Sequence, residues 1–230
     1  MQPPNLMLRL AVQTGLTLAL MGAVLFGVAG DLAWPQAWTF LAIFVVSSAG
    51  FGAWLQRRDP ALLAARLSSP VQRGQPLWDK LFLLSAMLLW FGWLALMALD
   101  ARRWHSTVMP PWLNLLGAAL VAAGFLGVCR VFAENSFAAP VVRVQAERAQ
   151  KVIDTGPYAI VRHPMYAAGL LYIAGIPLLL GSWFGVLVVP LFLLGLGARI
   201  LGEERMLGRD LEGYDAYAAR VRHRIIPGVW

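Results

Sequence analysis

Charged residues leave five long gaps in this chain, at residues 10–30, 32–56, 81–99, 104–129 and 164–198. A helix of about 20 apolar residues crosses a bilayer, and each gap meets that length to within a residue or two. The last gap, 35 residues long, is too long for one tilted helix and too short for two generous ones. Gly181 and Ser182 stand near its middle. A break there predicts a tight hairpin of helices over about residues 165–180 and 183–199, with a full crossing at its far end left open. Pro177 and Pro190 are tolerable kinks within that pair. The pattern predicts an all-α, multi-pass protein of about six apolar helices. A single broken helix in place of the hairpin would put the C-terminal tail on the other side.

Charge settles the orientation. Of nineteen Lys and Arg, seventeen fall on one side of such a topology; the exceptions, Arg102 and Arg103, come after the third stretch. The positive-inside rule makes the basic side cytoplasmic, with both termini there. The net charge of +7 therefore reports topology rather than a nucleic-acid partner. Composition agrees: the chain is 59% hydrophobic and 13% charged, with mean hydropathy +0.65, against roughly 25% charged in soluble domains. A soluble globular protein is excluded. The first stretch exceeds a signal-peptide core of about 7–15 residues and reads as a retained span. Trp34, Trp38, Trp54, Trp78, Trp104 and Trp112 near the span ends read as an aromatic belt.

The chain divides into two parts: residues 1–130 with four spans, and residues 131–230 with a polar loop, the hairpin and a tail. Residues 57–80, with Pro60, Pro70, Gly74 and Pro76, read as a connector around a short amphipathic piece at 60–67. Residues 131–162 and 199–230 hold eight of the twelve acidic residues, so chemistry is sought there. The single cysteine, Cys129, precludes a disulfide within the chain and reads as a small buried hydrophobe. His105, His163 and His223 are dispersed without a second ligand at metal spacing, so no metal site is expected. His105 reads as interfacial and His223 as solvated or near headgroups.

The densest polar cluster runs from Thr155 to Tyr166, ahead of the hairpin. Gly156 and Pro157 force a turn, and Pro164 can start a helix whose free N–H groups suit a carboxylate or similar group. Arg162, Tyr158 and Tyr166 serve equally well as interfacial anchors and His163 as a cap. The second cluster, Arg199 to Glu204, ends the hairpin. Arg199 and Glu203, four apart, share a helix face and can pair, as an ordinary interfacial salt bridge or as part of a site. Glu134 and Asn135 suit either a capping role or an acceptor path. Both clusters lie at the same end of one hairpin, which gathers Tyr, His, Arg and Glu into a small volume.

The ordered set Gly-Pro-Tyr (156–158), Arg-His-Pro-Met-Tyr (162–166), Gly-Ser (181–182), Arg199 with Glu203-Glu204, Tyr214-x-x-Tyr217 and Arg-Ile-Ile-Pro (224–227) resembles the isoprenylcysteine carboxyl methyltransferase family, itself related to the membrane phospholipid methyltransferases. The resemblance covers about residues 131–230. It implies an S-adenosylmethionine site of Gln145, a strand-like approach over Gln150, Lys151, Val152 and Ile153, then Tyr158, His163, Pro164, Met165, Tyr166 and Glu203. Arg199 is implied as the catalytic residue on the substrate side. In that reading Glu203 pairs with the cofactor's α-ammonium, the helix start after His163 receives its carboxylate, and Arg199 aligns an anionic acceptor. An ionised carboxylate needs no general base, so orientation and water exclusion carry the catalysis.

The resemblance thus implies methyl transfer at the cytoplasmic leaflet, in the inner membrane if the source is bacterial. The implied partners are membrane lipids and a lipophilic small molecule or prenylated cysteine arriving from the bilayer. A lipid amine or small thiol is the alternative acceptor. An NADPH-dependent reductase of the related sterol type and a non-catalytic membrane protein are the alternatives of other classes.

Overall fold

The computed structural model describes residues 6–69, 72, 75–104, 108–138, 140–142 and 144–230, and leaves aside the side chain of Glu147. His105, Pro70 and Gly74, and Arg73 and Arg143 among the seventeen basic residues of one side, lie outside the described residues. Those described form eight α-helices and no strand: α1 (Leu6–Ala29), α2 (Pro35–Arg58), α3 (Pro60–Arg66), α4 (Leu77–Ala98), α5 (Pro111–Glu134), α6 (Pro164–Leu180), α7 (Trp183–Asp210) and α8 (Tyr214–Arg220). A π-helical turn, Leu99–Trp104, continues α4. Proline opens α2, α3, α5 and α6, where its fixed φ suits the first turn and its missing N–H breaks no bond.

Five helices, α1, α2, α4 with its π-helical end, α5 and α7, are long and apolar enough to cross a membrane; α6 is a shorter apolar helix. Leu16, Val46, Leu126 and Leu194, each about 70% exposed, lie on the outside of the bundle. In water such a surface would drive aggregation, whereas lipid tails solvate it. The protein is an integral membrane protein.

The bundle has two chemically distinct ends. At the basic end Arg9 donates to the Leu67 carbonyl (2.9 Å), and Arg58 donates to the Ala133 carbonyl. These bonds bring the start of α1 and the ends of α2, α3 and α5 together. At the opposite end Arg102 pairs with Asp31, and Asp100, fully buried, accepts from Ser182 Oγ (2.6 Å) and the Phe184 N–H (3.1 Å).

That last pair decides how far the hairpin reaches. Gly181 at φ +81° ends α6 in a Schellman turn, with Ser182 N–H on the Pro177 carbonyl (2.9 Å). Ser182 then caps α7 by accepting from the Gly185 N–H (2.9 Å). With Asp100 beside it, the turn lies level with the connection after α4, so the hairpin traverses the bundle from end to end. The 17 residues of α6 span about 26 Å at 1.5 Å per residue. The second arm runs well beyond the expected end at 199, to Asp210, and so projects past the bundle.

Helices α5 and α6 pack backbone to backbone. A Cβ added at Gly117 would lie 2.2 Å from the Leu179 nitrogen, so only glycine permits this approach. Aromatic and aliphatic side chains fill the remainder, including Trp34, Phe40, Trp93 and Ile176. Trp34 corrects the expected aromatic belt: it is 1% exposed, because its ring enters the core as the chain turns into α2. Trp38, Trp78, Trp104 and Trp112 are exposed as expected. The strand-like approach over Gln150–Ile153 also needs correcting. That segment is non-helical but has no ladder partner; Val152 packs against the tail cluster formed by Leu211, Tyr214, Tyr217 and Val221 instead.

Candidate functional site

At the basic end the 135–166 loop, the projecting part of α7 and the tail enclose a cleft. Its space outside atoms is about 860 Å³, part of it open to solvent. Of the residues singled out from the sequence, Asn135, Gln150, Lys151, Val152, Ile153, Tyr158, Arg162, His163, Met165, Tyr166, Arg199 and Glu203 line it. Gln145 and Pro164 do not. Gln145, 2% exposed, holds the loop's shape: its amide donates to the Phe137 carbonyl (2.7 Å) and its Oε1 accepts from Arg148 (2.8 Å). Pro164 is buried at the start of α6.

The two adjacent glutamates of α7 do different work. Successive helical residues point about 100° apart. Glu203 faces the cleft, where Tyr166 Oη donates to it at 2.6 Å. Glu204 faces the tail and gathers Arg162 Nε (2.7 Å), Arg224 Nε (2.8 Å) and His163 Nε2 (3.1 Å). The Arg162 guanidinium also donates to the carbonyls of Val221 (2.8 Å) and Arg222 (2.9 Å), ending α8. Backbone bonds from Arg162 N–H to His223 O and from His163 N–H to Arg224 O complete the seam. Arg162 is therefore a buried clamp rather than an interfacial anchor. His163 Nε2 is engaged with Glu204 while its ring stacks on Tyr166, centroids 5.5 Å apart. His223, expected to be solvated or near headgroups, is partly exposed and accepts from the Gly228 N–H at Nδ1 (3.2 Å).

Arg199 does not pair with Glu203. Its guanidinium contacts Asp79 Oδ1 at 3.1 Å without hydrogen-bond alignment and donates to the Pro140 carbonyl at 2.8 Å. Asp79, at 0% exposure, also accepts from Gln75 Nε2 (2.8 Å) and the Val142 N–H (3.0 Å). Helical spacing permits the Arg199–Glu203 pair, but a fully buried carboxylate needs a cation more than a half-buried one does. Asp79 and Gln75 escaped the sequence reading. The available signal was an acidic residue shortly before the fully apolar third stretch.

The remaining polar groups shape the loop. Asn135 ends α5; its Oδ1 accepts from the Phe137 N–H (2.8 Å) and its Nδ2 donates to Tyr158 Oη (2.7 Å). Burial raises the Tyr158 phenol to about 12, and the Glu203 charge adds to the rise against the bond from Asn135. Glu134 accepts from Thr155 Oγ1. Arg66, in α3, lies over the Phe132 ring at 4.9 Å. Its pKa falls to about 10, chiefly through burial and, after a raising influence of Tyr166, through the neighbouring Arg199 charge. Two atoms around the cleft are buried without partners: Arg199 Nε and Tyr214 Oη. Among the described residues no group of three or more His, Cys, Asp or Glu converges as metal ligands would.

Residues 112–211 match the family described as phospholipid methyltransferase, which includes the isoprenylcysteine carboxyl methyltransferases. This bears out the resemblance drawn from the sequence. A curated relative, the nickel-cobalt-cadmium resistance protein NccN of Alcaligenes xylosoxydans xylosoxydans, is 29% identical over 117 residues. That alignment takes in 50% of this chain and 53% of the relative, so the chain spans about half the length of the relative it matches.

Proposed function

From the match of residues 112–211 to a family of membrane methyltransferases, we propose that this protein methylates a lipophilic acceptor with S-adenosylmethionine at the cytoplasmic face of a membrane. The observation that carries the reading is the cleft itself. One carboxylate, Glu203, and one guanidinium, Arg199, face it from a single helix, beside Tyr158 and Tyr166.

The donor set fits the cofactor. Glu203 suits an α-ammonium, and the unpartnered buried atoms Arg199 Nε and Tyr214 Oη suit further hydrogen-bonding groups, since unmet polar atoms cost free energy. Val152, Ile153, Met206 and Leu207 offer apolar surface to a purine, and the Tyr158 ring suits a sulfonium. When bound, S-adenosylmethionine supplies an electrophilic methyl group. The protein's own contribution is positional: Tyr166 fixes the Glu203 carboxylate, Asp79 and the Pro140 carbonyl hold the Arg199 guanidinium, and the loop and tail exclude water.

For the acceptor we favour an anionic group, most like the carboxylate of an isoprenylcysteine, entering from the bilayer between helices. With Glu203 given to the cofactor, the Arg199 guanidinium faces the cleft, and Arg66 lies near enough for the two positive charges to repel. The surplus of positive charge favours an anion over an amine. A carboxylate is already ionised at neutral pH, so no proton acceptor is needed. If the source is bacterial, the membrane is the inner one.

Calorimetry on the detergent-purified protein tests the cofactor. S-adenosylmethionine and S-adenosylhomocysteine should bind saturably, and Glu203→Ala and Tyr166→Ala should weaken both. A folded wild type that binds neither overturns the reading. The acceptor is tested by methyl transfer to a farnesylated cysteine derivative against phosphatidylethanolamine, with Arg199→Ala reducing only the first.

A further inference from the structure

Helix α8 carries two tyrosines one turn apart with opposite hydrogen-bonding status. Tyr217 Oη donates to the Tyr158 carbonyl at 2.9 Å, which fastens the helix to the loop. Tyr214 is as deeply buried, at 6% exposure, yet its hydroxyl has no partner, and the residue lines the same cleft as Glu203. The ring is held by Leu211, Tyr217 and Val221, with the Tyr217 ring edge-on at 5.9 Å. Gly213, at φ +82°, sets the turn that starts the helix. The position is therefore fixed by packing, and the hydroxyl is not needed for it.

A buried hydroxyl without a partner is disfavoured, and protein surfaces retain such groups where a ligand completes them. A phenol offers one donor and also accepts. It stands in the field of the Glu203 and Glu204 carboxylates and of Arg162. A zwitterion answers both requirements, because its ammonium donates and compensates the carboxylates while its own carboxylate accepts the phenolic proton.

We propose that Tyr214 Oη binds the amino-acid head of S-adenosylmethionine beside Glu203, making α8 a wall of the cofactor site. This rests on the methyltransferase reading. It also extends the site past the region matched to the family, which ends at residue 211.

The test is Tyr214→Phe, which removes one oxygen and keeps the ring. Calorimetry is run with S-adenosylhomocysteine and with methylthioadenosine, which lacks the amino-acid head, beside a melting curve without ligand. Affinity for S-adenosylhomocysteine should fall about five- to tenfold, the loss of one ordinary hydrogen bond. Affinity for methylthioadenosine should be unchanged, and the ligand-free melting midpoint should be unchanged or higher. Wild-type protein that binds neither nucleoside defeats the methyltransferase reading and this inference with it. Wild type that binds while Tyr214→Phe binds equally well defeats the inference alone. Equal weakening of both ligands rules out the head-group contact, and a lowered midpoint with intact binding assigns the hydroxyl a structural role.

Discussion

The ion pair between Asp79 and Arg199 joins the start of α4 to α7 and sets the guanidinium at the cleft, so its removal is the sharpest test of how the site is built. Asp79→Ala deletes a fully buried carboxylate and strands three groups: Arg199 at 3.1 Å, the Val142 N–H at 3.0 Å and Gln75 Nε2 at 2.8 Å. Removing one member of a buried pair costs about 3–5 kcal/mol, mostly because the other charge is left uncompensated. Arg199→Ala leaves the fully buried Asp79 carboxylate with two hydrogen-bond donors but no cation, and a comparable loss of about 3–5 kcal/mol is expected. In the double variant neither charge is stranded, so the cost should fall short of the sum by roughly 2 kcal/mol. Equilibrium unfolding in mixed micelles by a graded denaturing detergent reads all four corners of the cycle. Additivity within about 0.5 kcal/mol would refute the pairing, and an Asp79→Ala variant as stable as wild type would refute the burial argument behind it.

The geometry predicts three further outcomes. Glu204→Gln keeps an acceptor but loses the charge that gathers Arg162, Arg224 and His163, so the tail beyond residue 210 should be cut faster in limited proteolysis, with about 2–3 kcal/mol lost in unfolding. Gly117→Val should push α6 off α5 and cost about 3 kcal/mol in the same assay, while Gly15→Ala, which meets nothing within 4 Å, should cost no stability. The Tyr158 phenol titrates at about 12 in the fold, above its ordinary value of 10. The folded state therefore keeps a proton that the unfolded chain releases, and stability should fall as pH rises between these values. Tyr158→Phe should reduce that alkaline loss, monitored by tyrosinate absorbance against pH; an unchanged profile would disprove the burial of the phenol.

Moving a chain from water into lipid imposes rules that act within each segment, and those rules were legible in the sequence. A long run without charge must close its hydrogen bonds within a helix, so the six apolar helices, the Gly181–Ser182 break and the segregation of basic residues could be read residue by residue. The clustering of chemistry at one end of the hairpin was legible too, since an antiparallel pair with a two-residue turn has no other way to place residues 155–166 and 199–204. The choice of partners belongs to the folded state. Arg199 has Glu203 one turn away on its own helix, yet it turns to Asp79, more than a hundred residues earlier, because burial makes an uncompensated charge there costlier than on the cleft wall. Glu203 and Glu204 are indistinguishable as letters, and the rotation of α7 gives one to the cleft and the other to the tail. Trp34 likewise shares the sequence context of an interfacial tryptophan but enters the core, since the turn into α2 aims it inward. Local pattern fixes which segments leave water; which buried charge meets which partner depends on contacts between segments far apart in the chain, and no spacing rule within one segment contains them.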